Sequence, residues 1–155
     1  MEYYSSISKS YEGLHGEEQL KKLEIIAMHI KPKTMMLDIG AGTGISTRFF
    51  GIDSVALEPS FEMLKQHKGK KVAGKAEALP FKDKTFSTII SVTALHHTGI
   101  EKAISEIKRV SKPGCIYAFT VLKKAKNAES IRRLLKESFR LKEIEEDKDY
   151  ILVSS

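Results

Sequence analysis

The run Leu37-Asp38-Ile39-Gly40-Ala41-Gly42-Thr43-Gly44 constrains this chain more than any other stretch. Met35–Ile39 is short and apolar and reads as a buried strand, and Ile45–Phe50 reads as a helix. Glycines between a strand and a helix permit positive φ and let a ligand approach the main chain. One chemistry for such a turn is dinucleotide binding through G-x-G-x-x-G, with pyrophosphate on the helix N-terminus. Here the third residue past Gly42 is Ile45, and Asp38 at the strand end would repel a phosphate. A carboxylate there suits a ligand carrying an ammonium group. Glu58 follows 20 residues after Asp38 and closes a second apolar run. An acidic side chain in that place can accept two hydrogen bonds from a ribose diol.

Helical and extended patterns alternate along the rest of the chain, which predicts an α/β fold with a mainly parallel sheet. Residues 17–30 form a helix on periodicity, with Leu20, Leu23, Ile26, Ala27 and Ile30 on one face and Lys31-Pro32-Lys33 ending it. Ser54–Leu57 is a second strand, and Ser60–His67 a helix with Phe61 and Leu64 inward. Lys71–Ala73, Phe86–Val92 and Cys115–Leu122 are further strands, and Glu101–Val110 and Asn127–Ser138 are helices. Lys112-Pro113-Gly114 reads as a turn, and Phe139–Ser155 as two strands hinged at Asp147-Lys148-Asp149, pairing antiparallel at a sheet edge. A length of 155 residues fits one domain, 1–155, with a helical cover over 1–33 and a core over 34–155.

Composition closes off several classes. The single cysteine, Cys115, excludes a disulfide framework and an all-cysteine zinc site. Starting a core strand, it reads as an inert buried thiol. No apolar run approaches the ~20 residues of a membrane span. The opening MEYYSSISKSYEG lacks the basic start and apolar core of a signal peptide, so a cytoplasmic location is the expectation. With 26 Lys+Arg against 20 Asp+Glu the net charge is +6, compatible with an anionic partner such as RNA or with solubility alone.

The segment LDIGAGTG resembles motif I of class I S-adenosylmethionine-dependent methyltransferases, and the likeness continues in register. ALEPSFEMLK (56–65) is similar to the second-strand motif. GKAEALPFKDKTFSTIISVTALHH (74–97) and EIKRVSKPGCIYAF (106–119) resemble the later motifs of the methyltransferase-11 and ubiquinone/menaquinone-biosynthesis type. Tyr4, Ile7 and Tyr11 match the spacing of that family's opening motif. The resemblance implies a Rossmann-like, doubly wound seven-stranded sheet, mostly parallel with an antiparallel C-terminal hairpin strand. It implies S-adenosyl-L-methionine as cofactor, leaving as S-adenosyl-L-homocysteine.

By that likeness Gly40, Ala41, Gly42, Thr43 and Gly44 lie against the methionine part of the cofactor, and Asp38 interacts with its amino group. Glu58 holds the ribose hydroxyls, and Pro59 and Ser60 border the adenine. Ala76 and Glu77 approach the adenine edge, Ser91, Val92 and Thr93 line the floor beside the sulfonium, and Tyr11 covers the cofactor. Three positions depart from the family: Lys75 and Ser87 stand where it has Asp, and Cys115 stands for a glycine.

Methyl transfer from an activated donor needs chiefly in-line placement of the acceptor. His97 and His96 follow the fourth strand at its C-terminal end, where open α/β sheets bind ligands, and are the candidate bases. No Cys or carboxylate nearby completes a metal set with them. His15, His29 and His67 read as ordinary helix or loop residues. The fourth strand carries no Asn-Pro-Pro-Tyr-like sequence, which weakens an adenine-N6 or glutamine acceptor. Two basic clusters, within 65–75 and 123–142, offer an RNA surface in principle, though neither is interleaved with aromatics that would stack bases. The expectation is transfer to an O, N or C nucleophile of a small molecule. The alternatives are an RNA acceptor and a non-catalytic cofactor-binding scaffold or activator subunit. A homodimer or an activator partner is compatible with either.

Overall fold

The computed structural model describes residues 2–155, with side chains from residue 13 onward. Helix α1 (Glu2–His29) leads into strand β1 (Met36–Ile39), α2 (Ile45–Phe50), β2 (Ser54–Glu58), α3 (Phe61–Gln66) and β3 (Lys71–Ala73). Strand β4 (Phe86–Val92) is followed by a 3-10 turn over Leu95–His97, then α4 (Ile100–Val110), β5 (Ser111–Leu122), α5 (Ala128–Ser138), β6 (Leu141–Glu145) and β7 (Asp149–Ser154). One seven-stranded sheet has the order β3-β2-β1-β4-β5-β7-β6. The first five are parallel neighbours, and β7 runs antiparallel between β5 and β6. This is the mainly parallel α/β sheet expected from the alternation and the doubly wound, seven-stranded architecture that the resemblance implied.

Period-two alternation sorts the strands onto two cores. Leu37, Ile39, Ile89 and Phe119 pack with Ile104, Ile107, Ile131 and Leu135 of α4 and α5. Met36, Ile90, Ala118 and Ile151 pack with Leu23 and Ile26 of α1 and with Ile45 and Phe49 of α2. Each fully buried Leu, Ile, Met or Phe among them contributes roughly 1.5–3 kcal/mol of transfer free energy. Asp38 shares the parity of Met36, so its carboxylate enters the face covered by α1 and α2.

Several local expectations give way. α1 begins well before residue 17, and its inward face is Lys22, Leu23 and Ile26, whereas Leu20 and Ala27 face outward. Phe61 points to solvent, and only Leu64 of α3 is buried, because a six-residue helix turns one short stripe inward. Lys112-Pro113-Gly114 lies inside β5 as an irregularity: Phe86 pairs with Ser111, but Thr88 already pairs with Ile116. The extra residues bulge out, with Gly114 at φ 78°.

α4 also organises the loop that precedes β4. Glu106 accepts from the Leu79 amide, while Arg109 donates to the Leu79 and Phe81 carbonyls and to Asp83. Arg109 and Glu106 bind each other at 2.7 Å, which holds the Glu106 carboxyl below its usual range. The Glu-x-x-Arg segment thus fixes the loop that follows Ala76 and Glu77. Among the described residues no helix is long and apolar enough to cross a membrane.

Candidate functional site

At the C-terminal ends of β1, β2 and β4 lies a cavity of about 540 Å3. Its first wall is the turn after β1. The Leu57 carbonyl accepts from both the Gly40 and Ala41 amides, and the Gly44 amide donates to the Ala41 carbonyl. The Gly42 amide donates to Glu58 Oε1 at 2.8 Å. These amides are therefore consumed inside the protein instead of forming a phosphate cradle. Gly40 has φ 71°, and a Cβ there would lie 2.4 Å from Ala94 Cβ, so only glycine fits.

Gly40, Ala41, Gly42 and Thr43 line the cavity, whereas Gly44 caps α2 behind it. A Cβ on Gly44 would meet the His67 ring at 2.6 Å. That histidine is no bystander. His67 Nδ1 accepts from the Gly69 amide at 3.0 Å, which leaves Nε2–H to donate to Thr47 Oγ1 at 2.9 Å. Thr47 in turn donates to the Gly44 carbonyl. Burial, with Lys71 and Arg48 nearby, pushes the His67 pKa down and keeps the ring neutral for this chain of bonds.

Asp38 does not itself line the cavity: it is fully buried behind Ile39 and Gly40, which do, and neither carboxylate oxygen has a hydrogen-bond partner among the described residues. Desolvation, assisted by the nearby Glu58 charge, pushes its pKa up to about 8. A buried carboxyl without a donor is costly, so the place asks for a cationic or hydrogen-bonding ligand. Glu58 is nearly buried and lines the cavity; its Oε2 accepts from the Ser60 amide at 2.8 Å. Each carboxylate oxygen keeps a second lone pair for a ligand hydroxyl.

Pro59, Ala76, Glu77, Val92 and Thr93 also line the cavity. Glu77 accepts from the Gly99 amide at the start of α4. Ser91 does not line it: fully buried, its hydroxyl donates to the Ile39 carbonyl and ties β4 to β1, because strand parity turns it inward. Thr93 sits at φ 53°, a left-handed conformation that costs a β-branched residue roughly 1–3 kcal/mol and must be held by its surroundings. His97 lines the cavity, but His96 does not. The two rings lie 3.8 Å apart, and burial pushes the His96 pKa down. The Tyr11 side chain lies outside the described residues.

Sequence reasoning missed the contribution of α1 and α3. His15 and Gln19, one helical turn apart on α1, line the cavity together with Met63 of α3, and so does Lys75, the residue that stands where the family has Asp. The i, i+4 spacing of His15 and Gln19 was the available signal once α1 extends that far. Gln19 Oε1 is buried without a hydrogen-bond partner among the described residues, a further unsatisfied acceptor on the wall.

Four of the eight basic residues in the second cluster are paired with carboxylates. Arg132 binds Glu143 and Glu129, Arg133 lies 3.6 Å from Glu137, Lys136 3.7 Å from Glu143, and Lys123 3.0 Å from Glu145. In the first cluster Lys65 pairs with Glu62 and Lys70 with Asp53, while Lys71 donates to the His67 carbonyl.

Comparison with known proteins gives a consistent picture. An uncharacterized protein of Methanocaldococcus jannaschii is 37% identical over 90% of this chain and 58% of its own length. A demethylmenaquinone methyltransferase of Renibacterium salmoninarum is 37% identical over 61% of this chain and 44% of its own length. The chain thus spans about half the length of these curated relatives. The crystal structure of an S-adenosylmethionine-dependent methyltransferase from Thermotoga maritima superposes with TM-score 0.73 and 19% identity. That match covers 99% of this chain and 91% of that one, and it bears on the fold alone. The family model described as a methyltransferase domain matches residues 37–119, from the strand before the glycine turn to the middle of β5, and the chain belongs to that family.

Proposed function

We propose that this chain binds S-adenosylmethionine and transfers its methyl group to a small-molecule nucleophile. The observation that carries this reading is Asp38: a buried carboxyl behind the glycine turn whose oxygens have no partner among the described residues. The cofactor's ammonium group, directly or through a water, supplies the missing donor. Glu58, already oriented by the Gly42 and Ser60 amides, has lone pairs left for the ribose diol. Ala76, Glu77 and Pro59 form the wall for the base. Lys75 cannot accept from an adenine amine, so Glu77 or a main-chain carbonyl takes that task.

When bound, the cofactor supplies a sulfonium-activated methyl. The chain's own contribution is placement of the acceptor and exclusion of water. His97, exposed at the cavity mouth, is the group placed to take a proton from an acceptor whose nucleophile is protonated. A cavity of about 540 Å3 falls in the usual range for small ligands. The carboxylates paired with Arg132, Arg133, Lys136 and Lys123 reduce the charge available to a phosphate backbone, which favours the small molecule over RNA.

Calorimetric titration with S-adenosylmethionine and S-adenosylhomocysteine tests the cofactor assignment. Binding to the folded protein, weakened sharply by Glu58→Ala, is expected, and absence of binding to either nucleoside overturns it. A labelled-methyl screen over small-molecule, RNA and protein extracts then identifies the acceptor. Label appearing only in RNA would reverse the choice of acceptor.

A further inference from the structure

Helix α1 contributes His15 and Gln19 to the cavity wall, and besides Leu23 and Ile26 an ion pair joins it to the sheet in the core. Lys22, 4% exposed, turns inward between the apolar contacts of α1. Its Nζ donates to Thr93 Oγ1 at 2.9 Å and lies 2.9 Å from Asp149 Oδ1. Asp149 is fully buried at the start of β7, and its Oδ2 accepts from Thr93 Oγ1 at 2.9 Å. Thr120 of β5 completes the cluster. Its hydroxyl accepts from the Thr93 amide at 2.7 Å and lies 3.0 Å from the Thr93 hydroxyl. With Thr93 donating to Asp149 and accepting from Lys22, the remaining Thr120 proton goes to Thr93, so every hydroxyl hydrogen has an acceptor.

A second pair lies one helical turn back. Lys148 donates to Glu18, and this bond holds the Glu18 carboxyl below its usual range. Glu18 and Lys22 share one face of α1, and they meet the consecutive residues Lys148 and Asp149. The signs alternate, so sliding α1 by one turn would set Lys22 against Lys148. Apolar residues could dock the helix with less desolvation, whereas opposed charges specify one register.

We propose that Lys22 and Asp149 are positioning residues of the cavity. Their buried pair latches α1 over the site and, through Thr93 Oγ1, holds the left-handed turn at the end of β4 that lines its floor. One contact therefore sets both the cover and the floor, and the latch slows escape of a bound nucleoside. The last point rests on the cofactor assignment above; the docking of α1 does not.

The test compares wild type with the double variant Lys22→Met/Asp149→Asn, which leaves no unpaired buried charge and so keeps the fold where either single change endangers it. Hydrogen–deuterium exchange over residues 13–29 and the dissociation rate of S-adenosylhomocysteine are read on the same samples. Expected is faster exchange in α1 and nucleoside release, each by about tenfold, with β4 and β5 protected as in wild type. The charge-swapped variant Lys22→Asp/Asp149→Lys should recover α1 protection relative to Lys22→Asp alone, a rescue that packing volume does not give. Unchanged α1 exchange in the folded double variant, or loosened exchange with an unchanged dissociation rate, overturns the proposal. If wild type binds no nucleoside, the cofactor assignment falls, and α1 exchange alone decides whether the pair latches the helix.

Discussion

Binding of an ammonium-bearing nucleoside should expel a proton from Asp38. In the empty protein, burial pushes this carboxyl up to about 8. At pH 7 such a group is ~90% protonated, and an ammonium beside it favours the carboxylate. S-Adenosylhomocysteine binding near pH 7 should therefore release ~0.9 proton, and affinity should rise nearly tenfold per pH unit from about 6 to 7. Calorimetry in buffers of different ionisation enthalpy measures the release directly. The same group sets a stability slope. Its folded pKa is raised above the unfolded value, so its contribution is intact below about pH 4 and lost as pH climbs toward 8. By pH 7 the loss is about 4 kcal/mol, from roughly three pKa units at 1.36 kcal/mol each. Asp38→Asn should then raise the thermal midpoint of the empty protein at pH 7 while weakening nucleoside binding and abolishing proton release. No detectable release in wild type, or an equal release from the Asn variant, would refute the reasoning.

Gly40→Ala should cost about 2–4 kcal/mol in urea denaturation, because the added methyl meets Ala94 at a positive φ; a loss under ~1 kcal/mol would mean the turn relaxes freely. Glu58→Gln should weaken S-adenosylhomocysteine by at least about tenfold through loss of charge-assisted bonds to the Gly42 and Ser60 amides and the ribose, and equal affinity would misplace the site. His67 has a lowered folded pKa, so its contribution is present above about pH 6.5 and fades as pH falls below it; His67→Gln should flatten that part of the melting profile. Arg109→Ala should destabilise the loop by releasing the Leu79, Phe81 and Asp83 contacts, and proteolysis between residues 79 and 83 should speed up; an unchanged cleavage rate would show that the loop holds without it.

The strands and the glycine turn were legible because a parallel sheet buries both faces, so Met36–Ile39 and Ile89–Val92 appear as apolar runs interrupted only by Asp38 and Ser91. Glu58 and the glycines carried their own chemistry in their residue types. What failed was information held in tertiary placement. Residues 13 and 16 of α1 are glycines, poor helix formers that hid its true extent. Pro113 and Gly114 read as a turn, yet the sheet absorbs them as a bulge. Ser91 was placed in the pocket wall because motif order does not show which face a strand residue takes; its bond to Ile39 does. Lys22 looks like one more helix lysine until β7 brings Asp149 beneath it.

The insertion of β7 between β5 and β6 has a consequence in time. β6 is made before β7 but pairs only with it among the strands, so it has no seat in the sheet until β7 arrives. Until then β5 presents an open edge on one side, and Lys22 has no carboxylate to receive it. The wall formed by α1 and the floor at Thr93 thus wait on a strand that lies far along the chain from both, 56 residues after Thr93 and further still from α1, a contact pattern that folds slowly. A nascent or clipped chain ending before residue 149 would carry the glycine turn intact and still be unable to close over anything.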